Sequence, residues 1–108
     1  MSKIHHQQLS TGRWEKMSFF EQMANVGSEV ERSVNWKEKN ENNFELAVER
    51  ALELMDITIN DQKNKKRLKE LCRLREVFVD WRFDNNYKSS PQNWQSYFYP
   101  FITAQKTR

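Results

Sequence analysis

Only two glycines and two prolines punctuate these 108 residues. Tight β-hairpins need residues that tolerate positive φ, so such scarcity argues against a turn-rich β fold. It predicts long elements joined by few, short connections. The single cysteine, Cys72, excludes an intrachain disulfide and points to a reducing, cytoplasmic setting. The first residues, MSKIHHQQLS, lack the apolar core of a secretory leader. No run approaches the roughly 20 apolar residues of a membrane span, so no membrane association is expected. Histidine is confined to His5 and His6, outside every helical pattern. Without a Glu-x-x-His pair, the di-metal chemistry of helical bundles lacks its imidazole ligands. No histidine follows an arginine at the spacing that some bundle nucleases use. Gly12 and Gly27 are too far apart to form a phosphate-cradling loop. No metal, no cofactor and no catalytic residue is therefore expected.

What the chain does contain is charge and aromatic rings. Charged residues are 31% of the chain and aromatics 13%, with four tryptophans and seven phenylalanines. That many rings argues against a disordered polar chain. At this length about 65% of the unfolded surface is buried on folding, enough for one modest core and one domain. The net charge is +3. Window 61–75 holds seven cations against two carboxylates, a local +5, which leaves −2 for the rest. The basic character is thus concentrated in one segment.

Hydrophobic spacing divides the chain into an arm and four helices. Residues 1–13 have no periodicity and are expected to form a loose arm, with 14–108 as a single domain. Ser18-Phe19-Phe20-Glu21 has the form of a capping box. Phe20, Met23, Gly27, Val30 and Val34 then recur at helical spacing, flanked by Phe19, Val26 and Ser33, and predict a first helix to about Lys39. Trp14 either packs back on this helix or begins a turn of its own. A glycine inside the stripe costs about 1 kcal/mol against alanine, and close approach of a neighbouring helix is the simplest reason for Gly27. Asn40 to Asn43 is a polar turn with a capping asparagine. Phe44, Ala47, Val48, Ala51, Leu52, Leu54, Met55 and Ile59 mark the second helix. Asn60-Asp61 ends it, and a third is expected from Asn64 to Phe83. Ser90-Pro91 opens the fourth, with proline at the first helical position. Pro100 is expected to kink or end it. Four helices with short polar turns predict an all-α, antiparallel up-down four-helix bundle.

The third helix carries both a core pattern and the basic cluster. Leu68, Leu71, Cys72, Phe78 and Val79 are read as its core face, Cys72 as a small packing side chain and not a reactive thiol. Lys65, Lys69 and Arg73 fall at i, i+4 and i+8 on one flank, widened by Lys63, Lys66 and Arg67. Clustered cations suit phosphate binding, because neutralising phosphates releases condensed counterions. A plainer role exists, since exposed lysines and arginines also serve as solvating groups. Asp56 and Asp80 interrupt apolar runs and are read as ion-pair partners of Arg50, Arg75 or Arg82 that fix helix register. Trp94, Tyr97, Phe98 and Phe101 give the fourth helix a wide apolar arc, which predicts an interaction surface and a homo-oligomer.

The strings WEKMSFFEQMANVGSEV at 14–30, ERALELMDITI at 49–59 and RLKELCRLREVFVDW at 67–81 resemble a group of small uncharacterised prokaryotic helical proteins. The likeness spans Trp14 to Trp81 and implies one compact helical domain. In architecture the chain also looks like the four-helix bundles of ribosomal-RNA intervening-sequence proteins and of retroelement accessory variability proteins. That resemblance implies a basic, ring-forming, non-enzymatic protein associated with nucleic acid. The expected function is a non-catalytic bundle that self-associates and binds the nucleic-acid phosphate backbone through Lys63, Lys65, Lys66, Arg67, Lys69 and Arg73. The competing expectation is a protein-interaction adaptor that uses the fourth helix and binds no nucleic acid.

Overall fold

The computed structural model describes residues 12–106, and all regular structure among them is helical. The expected arm lies almost wholly outside the described residues. A short 3-10 turn spans Trp14–Lys16. It is followed by α1 (Phe19–Trp36), α2 (Glu41–Ile59), a second 3-10 turn (Gln62–Arg67), α3 (Leu68–Arg82) and α4 (Pro91–Lys106).

Local chemistry sets the helix starts. Ser18 Oγ accepts from the Glu21 amide at 3.1 Å, and Glu21 Oε1 accepts from the Ser18 amide at 3.0 Å, completing the capping box of α1. Asn40 Oδ1 caps α2 by accepting from the Asn43 amide at 2.9 Å. Ser90 and Asn93 cap α4 reciprocally, at 3.2 and 2.9 Å. These bonds satisfy amides that have no partner inside the helix. Helix α1 stops at Trp36, short of Lys39, because the Trp36 carbonyl closes the turn by accepting from the Lys39 and Asn40 amides. Helix α4 does not end at Pro100 but continues to Lys106. Both Pro100 and Ser96, four residues earlier, are exposed. Proline leaves the Ser96 carbonyl without an amide on the exposed side of the helix, where the loss is tolerated.

The core is one connected cluster drawn from all four helices and Trp14. Aromatic contacts show which helix ends meet. Phe19 at the start of α1 meets Phe101 late in α4, with ring centroids 5.8 Å apart. Phe44 at the start of α2 meets Trp81 at the end of α3, also at 5.8 Å. Trp94 near the start of α4 contacts Phe78 at 5.7 Å and Trp81 at 6.0 Å. Trp14 is fully buried in its own turn, and its indole N–H donates to Thr58 Oγ1 of α2 at 3.1 Å. Gly27 lies beneath Phe98, so the expected close helix approach occurs between α1 and α4.

The inward faces differ in phase from the sequence pattern in two places. On α1, Phe20 is 43% exposed, and Phe19, Met23, Val26, Val30 and Ser33 turn inward together with Gln22. On α3, the buried seam is Leu71, Leu74, Phe78 and Trp81. Leu68 is 42% exposed, Cys72 is exposed and Val79 is only half-buried. At about 100° per residue, Cys72 points well away from a seam centred between Leu71 and Leu74. Cys72 is thus not a core side chain. Nor is the third helix continuous from Asn64. Asp61 and the buried Asn64 tie the segment inward, and the chain tightens to a 3-10 turn before α3 begins at Leu68.

Candidate nucleic-acid interface

Six cations were singled out in the sequence, and the structure distributes them over two elements. Lys63, Lys65, Lys66 and Arg67 stand on the second 3-10 turn, and Lys69 and Arg73 on α3. The single i, i+4, i+8 row is therefore broken between Lys65 and Lys69. Lys63 is engaged in structure. Its ammonium lies 2.5 Å from Asp61 Oδ2 and 3.1 Å from the Glu15 carbonyl. This ties the turn before α1 to the turn before α3. The guanidinium of Arg67 sits 4.1 Å from the Phe19 ring centroid, and that of Arg73 sits 5.1 Å from the Tyr87 centroid. Such stacking fixes an arginine plane without neutralising it. Lys65, Lys66, Arg67, Lys69 and Arg73 form no ion pair among the described residues. By contrast Arg75 binds Asp56 at 2.7 Å, and Arg82 binds Glu45.

Lys66, Arg67, Lys69 and Arg73 line one shallow, open hollow together with Glu70, Cys72 and Glu76. Both carboxylates are held by tyrosines that no local pattern connects to them. Tyr97 Oη donates to Glu70 Oε2 at 2.7 Å, and Tyr87 Oη donates to Glu76 Oε2 at 2.8 Å. Burial, aided by the bond to Glu70, raises the Tyr97 pKa well above its ordinary value, so this hydroxyl remains a donor. The bond to Glu76 does the same for Tyr87, to a smaller extent.

Buried polar groups hold the second 3-10 turn, which carries Lys66 and Arg67. Gln22 Nε2 donates to Asp61 Oδ2 at 2.7 Å and to the Trp14 carbonyl at 3.0 Å. Asn64 Nδ2 donates to Gln22 Oε1 at 2.8 Å and to the Thr58 carbonyl at 2.9 Å. Burial acts to raise the Asp61 pKa, but hydrogen bonds from Lys63 and Gln22 outweigh it and leave the pKa lowered. Gln22, Thr58 and Asn64 were missed in the sequence. The one available signal was Gln22 standing between Phe19 and Val26 at core spacing. Asp56 is the ion-pair partner expected of it, bound to Arg75 across α2 and α3. Asp80 has a different role. Its two oxygens accept from the Asn86 and Tyr87 amides at 2.9 and 3.0 Å and organise the loop after α3.

The residues expected to form the α4 interaction surface separate into two groups. Trp94 and Phe98 are buried in the monomer core, and Trp94, at 5% exposure, reaches only the floor of a groove between α3 and α4. Tyr97 and Phe101 are half-buried. The exposed ring on this helix is Tyr99, at 64%. Tyr99 borders a groove of about 330 Å³ between α1 and α4. Among the described residues no group of three or more His, Cys, Asp or Glu could hold a metal ion. No helix of the described residues is long and apolar enough to cross a membrane. No family model, no curated protein and no solved structure matches this chain.

Proposed function

We propose that this protein is a non-catalytic helical bundle that binds the phosphate backbone of nucleic acid through the hollow at the start of α3. One observation carries the reading. Four cations, Lys66, Arg67, Lys69 and Arg73, line one surface and form no ion pair among the described residues, whereas Lys63 and Arg75 nearby are paired. Like charges held together repel one another unless an external anion neutralises them. The supporting scaffold is an antiparallel up-down arrangement, in keeping with the ends that meet at Phe19–Phe101, Phe44–Trp81 and Trp14–Thr58. Binding through phosphates positions the nucleic acid without reading its sequence.

Filter-binding titration against RNA and DNA across a salt series tests this. Affinity is expected to fall steeply with salt, with a slope of about −0.7 to −0.9 per phosphate contacted. Lys66→Glu with Lys69→Glu is expected to weaken binding and to reduce that slope by about two contacts' worth. No retention of either nucleic acid at low salt would sink the reading.

Self-association is the second part of the proposal, through the groove beside Tyr99. Light scattering is expected to give a mass above one chain, and Tyr99→Ala to lower it. A monomeric wild-type mass contradicts this part alone.

A further inference from the structure

Two cavities meet at Glu70 and Arg73. The basic hollow lies on one side of this pair. On the other, α3 and α4 part to leave a groove of about 270 Å³. Leu74 and Val77 line it from α3, and Trp94 and Tyr97 from α4. One wall is therefore aliphatic and the other aromatic, with Ser89 and Asn93 supplying polar groups where α4 begins. The Trp94 indole N–H is buried and has no hydrogen-bond partner among the described residues. A lipid or a plain apolar ligand would account for the walls but not for the cations at the mouth. A duplex would account for the cations but not for the groove, because its bases are stacked and paired away from the protein.

Resting on the nucleic-acid reading above, and deepening it, we infer that the bound polyanion is single-stranded. One unpaired base seats between α3 and α4 against the half-buried Tyr97, with Trp94 as the floor, while its neighbouring phosphates lie on Lys66, Lys69 and Arg73. Single strands are held in this way, by cations that track the backbone and aromatic faces that stack bases. The half-exposed Tyr87, already stacked beneath Arg73, offers the next base a second ring at the mouth. The position of Glu70 fits as well. A carboxylate beside a phosphate site opposes binding, but one held by Tyr97 at the lip of a base slot can accept from an exocyclic amine.

The test uses the full chain and fluorescence anisotropy at low salt. Three short labelled probes are compared: a single strand, the same strand annealed to its complement, and an abasic strand with the same number of phosphates. The single strand is expected to bind more tightly than the duplex. The abasic strand is expected to bind about tenfold or more weakly than the intact one, at an unchanged salt slope, because stacking is lost and the phosphates are not. Val77→Trp, which fills the groove beside Arg73 without removing a charge, is expected to reduce single-strand affinity to the abasic level and leave duplex affinity unchanged. The abasic comparison needs no variant, so a misfolded Val77→Trp does not blunt the test. Equal affinity for intact and abasic strands, or tighter binding of the duplex, overturns the base slot and leaves the phosphate reading standing. Absence of binding to all three overturns both.

Discussion

Gly27 is the point at which α4 comes closest to α1. A Cβ placed there would lie 2.8 Å from Phe98 Cδ1, 2.9 Å from Cγ and 3.0 Å from Cβ. These atoms are the root of a buried ring, so it has little room to move aside. Gly27→Ala regains about 1 kcal/mol of helix propensity. Overpacking a well-filled core costs about 1–3 kcal/mol. The net expectation is a loss on the order of 1 kcal/mol, read as a lower midpoint in urea denaturation. In a Phe98→Ala background the same substitution is expected to be less harmful, since the Cγ and Cδ1 atoms it meets are gone. A stabilised Gly27→Ala would mean that α1 and α4 are further apart than described. The purpose of Gly27 was legible in the sequence, because a costly glycine inside an apolar stripe needs a reason. The identity of its neighbour was not, since Phe98 is 71 residues away and no local pattern connects them.

Among the elements, the second 3-10 turn departs most from the helix expected there. Local spacing favoured a helix from Asn64, but the turn's geometry is decided by partners on α1 and α2. Gln22 and the Thr58 carbonyl hold Asn64, and Gln22 and Lys63 hold Asp61. Asp61→Asn is therefore expected to destabilise the fold by about 1.5–3 kcal/mol at neutral pH, the usual range for hydrogen bonds to a charged group. The pH dependence follows from the lowered carboxylate pKa. In the folded chain Asp61 titrates below its unfolded value of about 3.9, so its contribution is present above that pH. It is lost as pH falls through the folded pKa. The difference between wild type and Asp61→Asn in thermal melts is expected to shrink as pH drops below about 4. A difference that stays constant with pH would show that the charge has no part in it. The helix starts were readable in advance because Ser18, Asn40 and Ser90 act on amides three residues away. The phase of α3 was not. Leu68, Leu71, Cys72, Phe78 and Val79 do lie near one another on a helix, and only packing against α1, α2 and α4 selects Leu71, Leu74, Phe78 and Trp81 instead.

Across the whole molecule, four helices and one core could be inferred from the spacing of apolar residues. The distribution of rings could not. An aromatic arc on α4 reads equally as core or as surface, and the fold places Trp94 and Phe98 inside while leaving Tyr99 outside. The cationic cluster was visible as composition, but its division into a paired Lys63 and an unpaired hollow depended on Asp61 and the Glu15 carbonyl reaching it. The displaced phase of α3 also has a practical consequence. It puts the only thiol of the chain on the wall of that hollow, exposed beside Lys66, Lys69 and Arg73. The protein thus carries a single attachment point at the place where occupancy matters. A small alkylating dye reacts there when the surface is bare and is shielded when a ligand covers it. The rate of one covalent reaction at Cys72 therefore becomes a clock for binding, independent of any property of the ligand.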